Sequence, residues 1–232
     1  MNTYVLVHGV NQGGWIWKPV AKYLRMEGHD VYTPTMDGCA ERRHQLRPEI
    51  TITTQIAELL DCLFYDDLTD IILAGSSAAG MHISKMAEMM PDRIKHLVYV
   101  DAVLLRPDEK AADVIIPEPG EIYERTELGW MPKHELLKMF KVLSDDPERN
   151  DWASERFSLW PTSVKSQDVD LQVFWSKTWN ATVINCTLSK NPSTAHVRQY
   201  SDKLQAKYIE MNTGHWPMVS RPEELAQILL AL

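Results

Sequence analysis

The sequence is short of cysteine, carries no surplus of positive charge and has no apolar run long enough to cross a bilayer. Each shortage excludes a class of protein. Cys39, Cys62 and Cys186 include no C-x-x-C pair, and three thiols cannot all pair within one chain. A disulfide scaffold is set aside, and buried thiols in a reducing compartment are expected. With a formal net charge of -8, neither nucleic acid nor an anionic membrane surface is an expected partner. The opening residues, Met1 to His8, lack a basic stretch before their short apolar run. They read as a strand and not a signal peptide, so the cytoplasm is the expected location. Histidines and acids show no ligand spacing such as H-E-x-x-H, so neither a metal nor an organic cofactor is expected.

What is present is 232 residues of ordinary globular composition, enough for one domain with a sizeable core. Thr3 to Val7 predicts a strand, and Trp17 to Met26 a helix ended by Gly28. His29 to Thr33 predicts a strand, Thr51 to Phe64 an amphipathic helix, and Asp70 to Gly75 a strand with no polar alternation. A helix over Ser77 to Met90 and a strand over His96 to Val100 follow. The regular pattern resumes with Ala181 to Cys186 (strand), His196 to Leu204 (helix), Lys207 to Met211 (strand) and Pro222 to Leu232 (helix). This alternation implies an α/β fold with a doubly wound, mostly parallel sheet. Residues 1–103 and 178–232 are expected to form the core. The irregular stretch 104–177 is too long for a plain connection and reads as an inserted, mainly helical cap.

Chemistry is expected where Leu73-Ala74-Gly75-Ser76-Ser77-Ala78-Ala79-Gly80 turns from buried strand to helix. A nucleophile on such a strained turn needs small residues two places before and after it. Ser77 is flanked so by Gly75 and Ala79, Ser76 by Ala74 and Ala78, so sterics alone leave both open. A turn of small residues that merely packs a helix on a strand would look the same. Serine needs an adjacent base. His215, one of eight histidines, follows the last strand and so lies at the carboxyl edge of the sheet, where ligands bind in open α/β folds. The third device is the loop from His8 to Trp15. Its Val10 N–H and the N–H of Ala78 are the candidate donors for an oxyanion hole. His8 itself reads as a structural side chain of that loop.

Together these segments resemble the α/β-hydrolases, and specifically the branch of plant methyl-salicylate-type esterases and hydroxynitrile lyases with their bacterial esterase-like relatives. The pattern H-G-x-x-x-G-G-W-x-W is matched from His8 to Trp17. The elbow G-x-S-x-G-G is matched from Gly75 to Gly80 with Ala79 in place of a glycine. D-H-x-P-M-x-S-x-P-x-x-L is matched from Gly214 to Leu225 with Gly214 in place of the aspartate. The resemblance implies the α/β-hydrolase fold, Ser77 rather than Ser76 as nucleophile, and His215 as its base.

A triad also needs a carboxylate to orient the histidine. The family usually carries it after the strand matching Ala181 to Cys186, and Thr187 to Pro192 here holds no Asp or Glu. Asp101, at the end of the strand after the nucleophile helix, is the expected substitute. It would otherwise only cap that strand. Asp202 is expected on an exposed helix face, and Asp168 and Asp170 in the cap. The expected activity is hydrolysis of a small, hydrophobic carboxylic ester. Lyases of the branch carry a threonine and a lysine where Gly9 and Trp216 stand here, which favours the esterase. Lyase-like or cofactor-free oxygenase chemistry, or a non-catalytic ligand receptor, are the alternatives. Trp130, Met131, Met139, Phe140, Trp152, Phe157, Trp160, Phe174 and Trp175 read mostly as core joining cap to sheet. Trp130, Trp160 and Trp216 are the expected pocket residues. The expected partner is a small-molecule ester, with a homodimer left open.

Overall fold

The computed structural model describes residues 1–107, 109–110, 114, 123–133, 146–164 and 169–232. Strand β1 (Thr3–Val7) leads through a 3-10 turn (Gly14–Trp17) into α1 (Lys18–Met26) and β2 (Asp30–Tyr32). Helix α2 (Ile52–Tyr65) starts at Thr51, whose side chain accepts the Thr54 N–H while Thr54 Oγ1 accepts the Thr51 N–H. Such reciprocal capping satisfies two donors that a helix start otherwise leaves orphaned. Then come β3 (Ile71–Ser76), α3 (Ala79–Met89) and β4 (Ile94–Val100). Past the stretch 104–177 lie β8 (Ala181–Cys186), α6 (Thr194–Leu204), β9 (Lys207–Met211), α7 (Pro217–Ser220) and α8 (Pro222–Leu230).

Among the described residues these strands form a six-stranded sheet in the order β2-β1-β3-β4-β8-β9, every neighbouring pair parallel. The two-residue period of a strand sorts its side chains onto two cores. Val5, Val7, Leu73, Leu97, Tyr99 and Val183 face α2, α3 and α6. Tyr4, Leu6, Ile72, Ala74, Val98 and Ile184 face α1 and α8. Each such valine, leucine or isoleucine, fully buried, contributes ~1.5–3 kcal/mol. After β1 the chain steps outward to β2, and from β3 it steps the other way. The carboxyl ends of β1 and β3 therefore flank the switch point, where open α/β sheets leave a crevice.

Between β4 and β8 the described residues add a small sheet that the sequence pattern did not announce. The described part holds an antiparallel sheet of β5 (Tyr123–Arg125), β6 (Gly129–Pro132) and β7 (Trp160–Pro161) beside α4 (Pro147–Ser154) and α5 (Gln172–Trp175). Strands this short carry no period long enough to read. Met139, Phe140 and Asp168 lie outside the described residues. Cys39 and Cys186 are buried, but Cys62 is only half-buried.

Candidate active site

The elbow comes first from the sequence. β3 ends at Ser76, and the chain turns through Ser77, whose φ of 55° lies in the left-handed region that a non-glycine residue adopts only at a cost of ~1–3 kcal/mol. The turn closes only around small neighbours. A Cβ at Gly75 would lie 2.9 Å from the carbonyl oxygen of Ala79, and one at Gly9 would lie 2.7 Å from Ser77 Cβ. The two serines part company here. Ser76 is fully buried and continues the β3 alternation toward the second core, whereas Ser77 is half-buried at the turn.

Asp101 follows β4 with φ 46°, fully buried. Its N–H donates to the Ile184 carbonyl at 2.8 Å, and its Oδ1 accepts the Cys186 N–H at 3.1 Å. Its Oδ2 lies 2.6 Å from His215 Nδ1. An ionised carboxylate only accepts, so the proton sits on Nδ1 and leaves Nε2 with a free lone pair. The pairing of Ser76 with Val100 makes Ser77 and Asp101 the next residues on adjacent strands, which run ~4.8 Å apart. Among the described residues no hydrogen bond joins Ser77 Oγ to His215. In apo enzymes catalytic bonds are often long and tighten when substrate binds.

The loop after β1 lies against the elbow: the same Cβ built on Gly9 would come within 3.3 Å of Ser77 Oγ. His8 Nε2 accepts the Met36 N–H at 3.0 Å, so its Nδ1–H donates to the Gly9 carbonyl at 2.8 Å. Burial pushes the His8 pKa down to about 4, which keeps the ring neutral and structural. In a trans peptide the C=O and the following N–H point opposite ways. Fixing the Gly9 carbonyl on His8 therefore aims the Val10 N–H away from that ring. The Ser77 carbonyl is fixed likewise, by the N–H groups of Val103 at 2.8 Å and Gly80 at 3.2 Å, and this aims the Ala78 N–H. Neither the Val10 nor the Ala78 N–H has an acceptor among the described residues.

Of the expected pocket residues, Trp130 and Trp160 pair across β6 and β7 and share a core cluster with Val10 and Ala78. Trp216 does not join them. Its ring packs on Phe157 at 4.9 Å in the other core, because the chain turns into α7 at Pro217 and buries the preceding side chain there. Met131, Trp152 and Phe157 belong to that second core too, and Phe174 and Trp175 to the first. Asp202 is exposed on α6, and Asp170 is exposed at the start of α5, where it accepts the Gln172 N–H. His82, not singled out in the sequence, is buried one turn beyond Ala78, between the Ala78 carbonyl and the Gln55 amide. Surface clefts of about 380 and 620 Å³ are lined by residues around Arg221 and around Lys22, and neither includes Ser77, Asp101, His215, Val10 or Ala78. Among the described residues no cluster of three His, Cys, Asp or Glu side chains could hold a metal ion.

Residues 4–228 match the alpha/beta hydrolase family. The chain belongs to that family. A relative to this hydrolase is the carbendazim hydrolyzing esterase of Nocardioides sp. (strain SG-4G), 29% identical with 100% of each chain covered. Salicylic acid-binding protein 2 of Nicotiana tabacum is 26% identical over 99% of this chain and 96% of its own. In solved structures the fold recurs in an extracellular alpha/beta-hydrolase from a Paenibacillus species. That match has a TM-score of 0.81 at 21% identity and covers 100% of this chain and 98% of the other. Oδ1 of Asp101 reaches the N–H at the end of β8, so the carboxylate stands at the strand end whose following turn lacks an acid.

Proposed function

We propose that Ser77, His215 and Asp101 hydrolyse a small, apolar ester through an acyl-enzyme, with the Val10 and Ala78 N–H groups as the oxyanion hole. The chain is a carboxylic ester hydrolase of the serine type. The residue roles and the acyl group are the proposed part. His215 Nε2 takes the proton of Ser77 Oγ as the oxygen attacks the ester carbonyl. The negative charge that develops on the carbonyl oxygen falls to the two backbone donors, and each such donor is worth ~10²–10³ in rate. The alkoxide leaves with the proton from His215, and water activated by the same nitrogen then frees the acid. The observation that carries this reading is the 2.6 Å contact of Asp101 Oδ2 with His215 Nδ1, held from behind by the Cys186 N–H. The cross-strand pair Trp130 and Trp160 supports an apolar acyl group, and Trp216, where the lyases place lysine, favours ester hydrolysis over lyase chemistry. Three free thiols suit a reducing cytoplasm. An organophosphonate probe is expected to add to Ser77, read by intact-protein and peptide mass spectrometry. Labelling at Ser76, or labelling that survives Ser77→Ala, sinks the assignment.

A further inference from the structure

The residue after the oxyanion donor has no part in the mechanism above, yet it is more heavily bonded than Val10 itself. Asn11 is buried and left-handed, with φ 62°. Its Nδ2 donates to the Trp130 carbonyl at 2.7 Å and to the Ser158 carbonyl at 3.1 Å. Its own carbonyl accepts the Ser158 N–H at 3.0 Å. The amide orientation follows from the chemistry, because a reversed Oδ1 would face two carbonyl oxygens. Trp130 lies in β6 and Ser158 just before β7, so one side chain grips β6 and the segment that leads into β7.

We propose that Asn11 is a positioning residue that couples the small sheet of the insertion to the oxyanion donor at Val10. This rests on the ester-hydrolase reading. A peptide plane is rigid, so the direction of the Val10 N–H is set by whatever holds the residues on either side of it. His8 holds the Gly9 carbonyl from the core, and Gln12 Oε1 accepts the Gly9 N–H. Asn11 holds the far side from the insertion. A donor helps only when it points at the place the oxyanion will occupy, and small misplacements cost rate. A shift of β6 and β7, the strands that carry Trp130 and Trp160, is thereby transmitted to Val10. The left-handed φ admits few residue types, asparagine among them, so this one residue serves both the turn and the tie.

Asn11→Gly keeps the turn and removes the tie, and Asn11→Asp keeps the shape but sets an acceptor against two carbonyls. Ser158→Ala is the comparator. It removes Ser158 Oγ, which accepts the Ala40 N–H at 2.7 Å, and so loosens the same stretch without touching Asn11. On a p-nitrophenyl ester both Asn11 variants are expected to lose about 10- to 100-fold in kcat with KM within about threefold, less than outright removal of a donor costs. Ser158→Ala is expected to keep its kcat. Hydrogen–deuterium exchange supplies a readout that does not depend on catalysis. In Asn11→Gly, peptides covering 8–12 and 128–132 should both exchange faster while β3 and β4 stay protected. An unchanged kcat in the Asn11 variants, or an equal loss in Ser158→Ala, overturns the proposal. Faster exchange confined to 128–132 overturns it too. Should the wild-type chain cleave no ester, the ester-hydrolase reading fails alone, and joint or separate exchange of the two segments still decides the coupling.

Discussion

The two halves of the site are held in different ways. Ser77 and Asp101 each stand one residue beyond a buried parallel strand, and the Ser76–Val100 register sets them side by side. Val10 stands on a loop whose shape depends on single side chains: His8, Gln12 and Asn11. The first half cannot drift without breaking a ladder of backbone bonds. The second can be re-aimed by one substitution. On the proposed roles, the nucleophile, the acid and the Ala78 donor are held by sheet geometry, whereas the Val10 donor is adjustable from outside the sheet.

The largest expected effect tests the sheet-held half. Asp101→Asn should keep the fold, because its amide oxygen can still accept the Cys186 N–H. It should lower kcat by up to ~10⁴-fold, since the amide favours the wrong imidazole tautomer and loses the charge that steadies the imidazolium. Asn191→Ala is the control for the usual acid position and should leave kcat alone. A loss under about tenfold in Asp101→Asn, in steady-state assays at saturating ester, would move the acid elsewhere.

A smaller effect separates the two bonds of His8. Asn at position 8 places its donor near Nδ1, and Gln reaches the Nε2 position. His8→Gln should keep the Met36 contact, lose the Gly9 contact and drop kcat about tenfold through a misaimed donor. His8→Asn should keep kcat and lose about 1–3 kcal/mol of stability, because the Met36 N–H is left unpaired. If the two variants lose the same kcat, the loop-held half is not aimed by the Gly9 carbonyl.

A further effect is on the pH dependence of stability. Burial pushes His8 and His82 each down to about 4. Unfolded, both take up protons below ~6.5, which the folded protein refuses until about 4. Their contribution to stability is thus full above ~6.5 and is lost as pH falls toward 4, by up to ~1.4 kcal/mol per pH unit for each ring. Urea midpoints between pH 7.5 and 5 should fall accordingly, and His82→Gln should flatten the slope by one proton. An unchanged slope in that variant would mean that His82 is not held neutral.

Legibility followed the same divide. The sheet strands were plain because a strand buried on both faces reads as an unbroken apolar run, and Ile71–Ser76 came within a residue of its expected span. Helix α3 begins at Ala79 rather than Ser77 because the strained elbow takes two residues that local pattern assigns to the helix. Asp101 could be named from chain order, but its contact with Cys186 depends on strand register that no local pattern encodes. Asn11 escaped notice because its side-chain partners lie 119 and 147 residues away. His82 sits in a helical pattern like any core residue. β5, β6 and β7 were missed because three, four and two residues show no alternation to count.

Asp101 sits on β4, yet its carboxylate oxygen lies 3.1 Å from the backbone at the end of β8. In the family's usual arrangement the acid follows that second strand. If Asp101 is the acid, as proposed, its place is defined by a point in space that two neighbouring strand ends share. In the proposed triad, chain position alone is therefore a poor guide to which carboxylate orients the histidine.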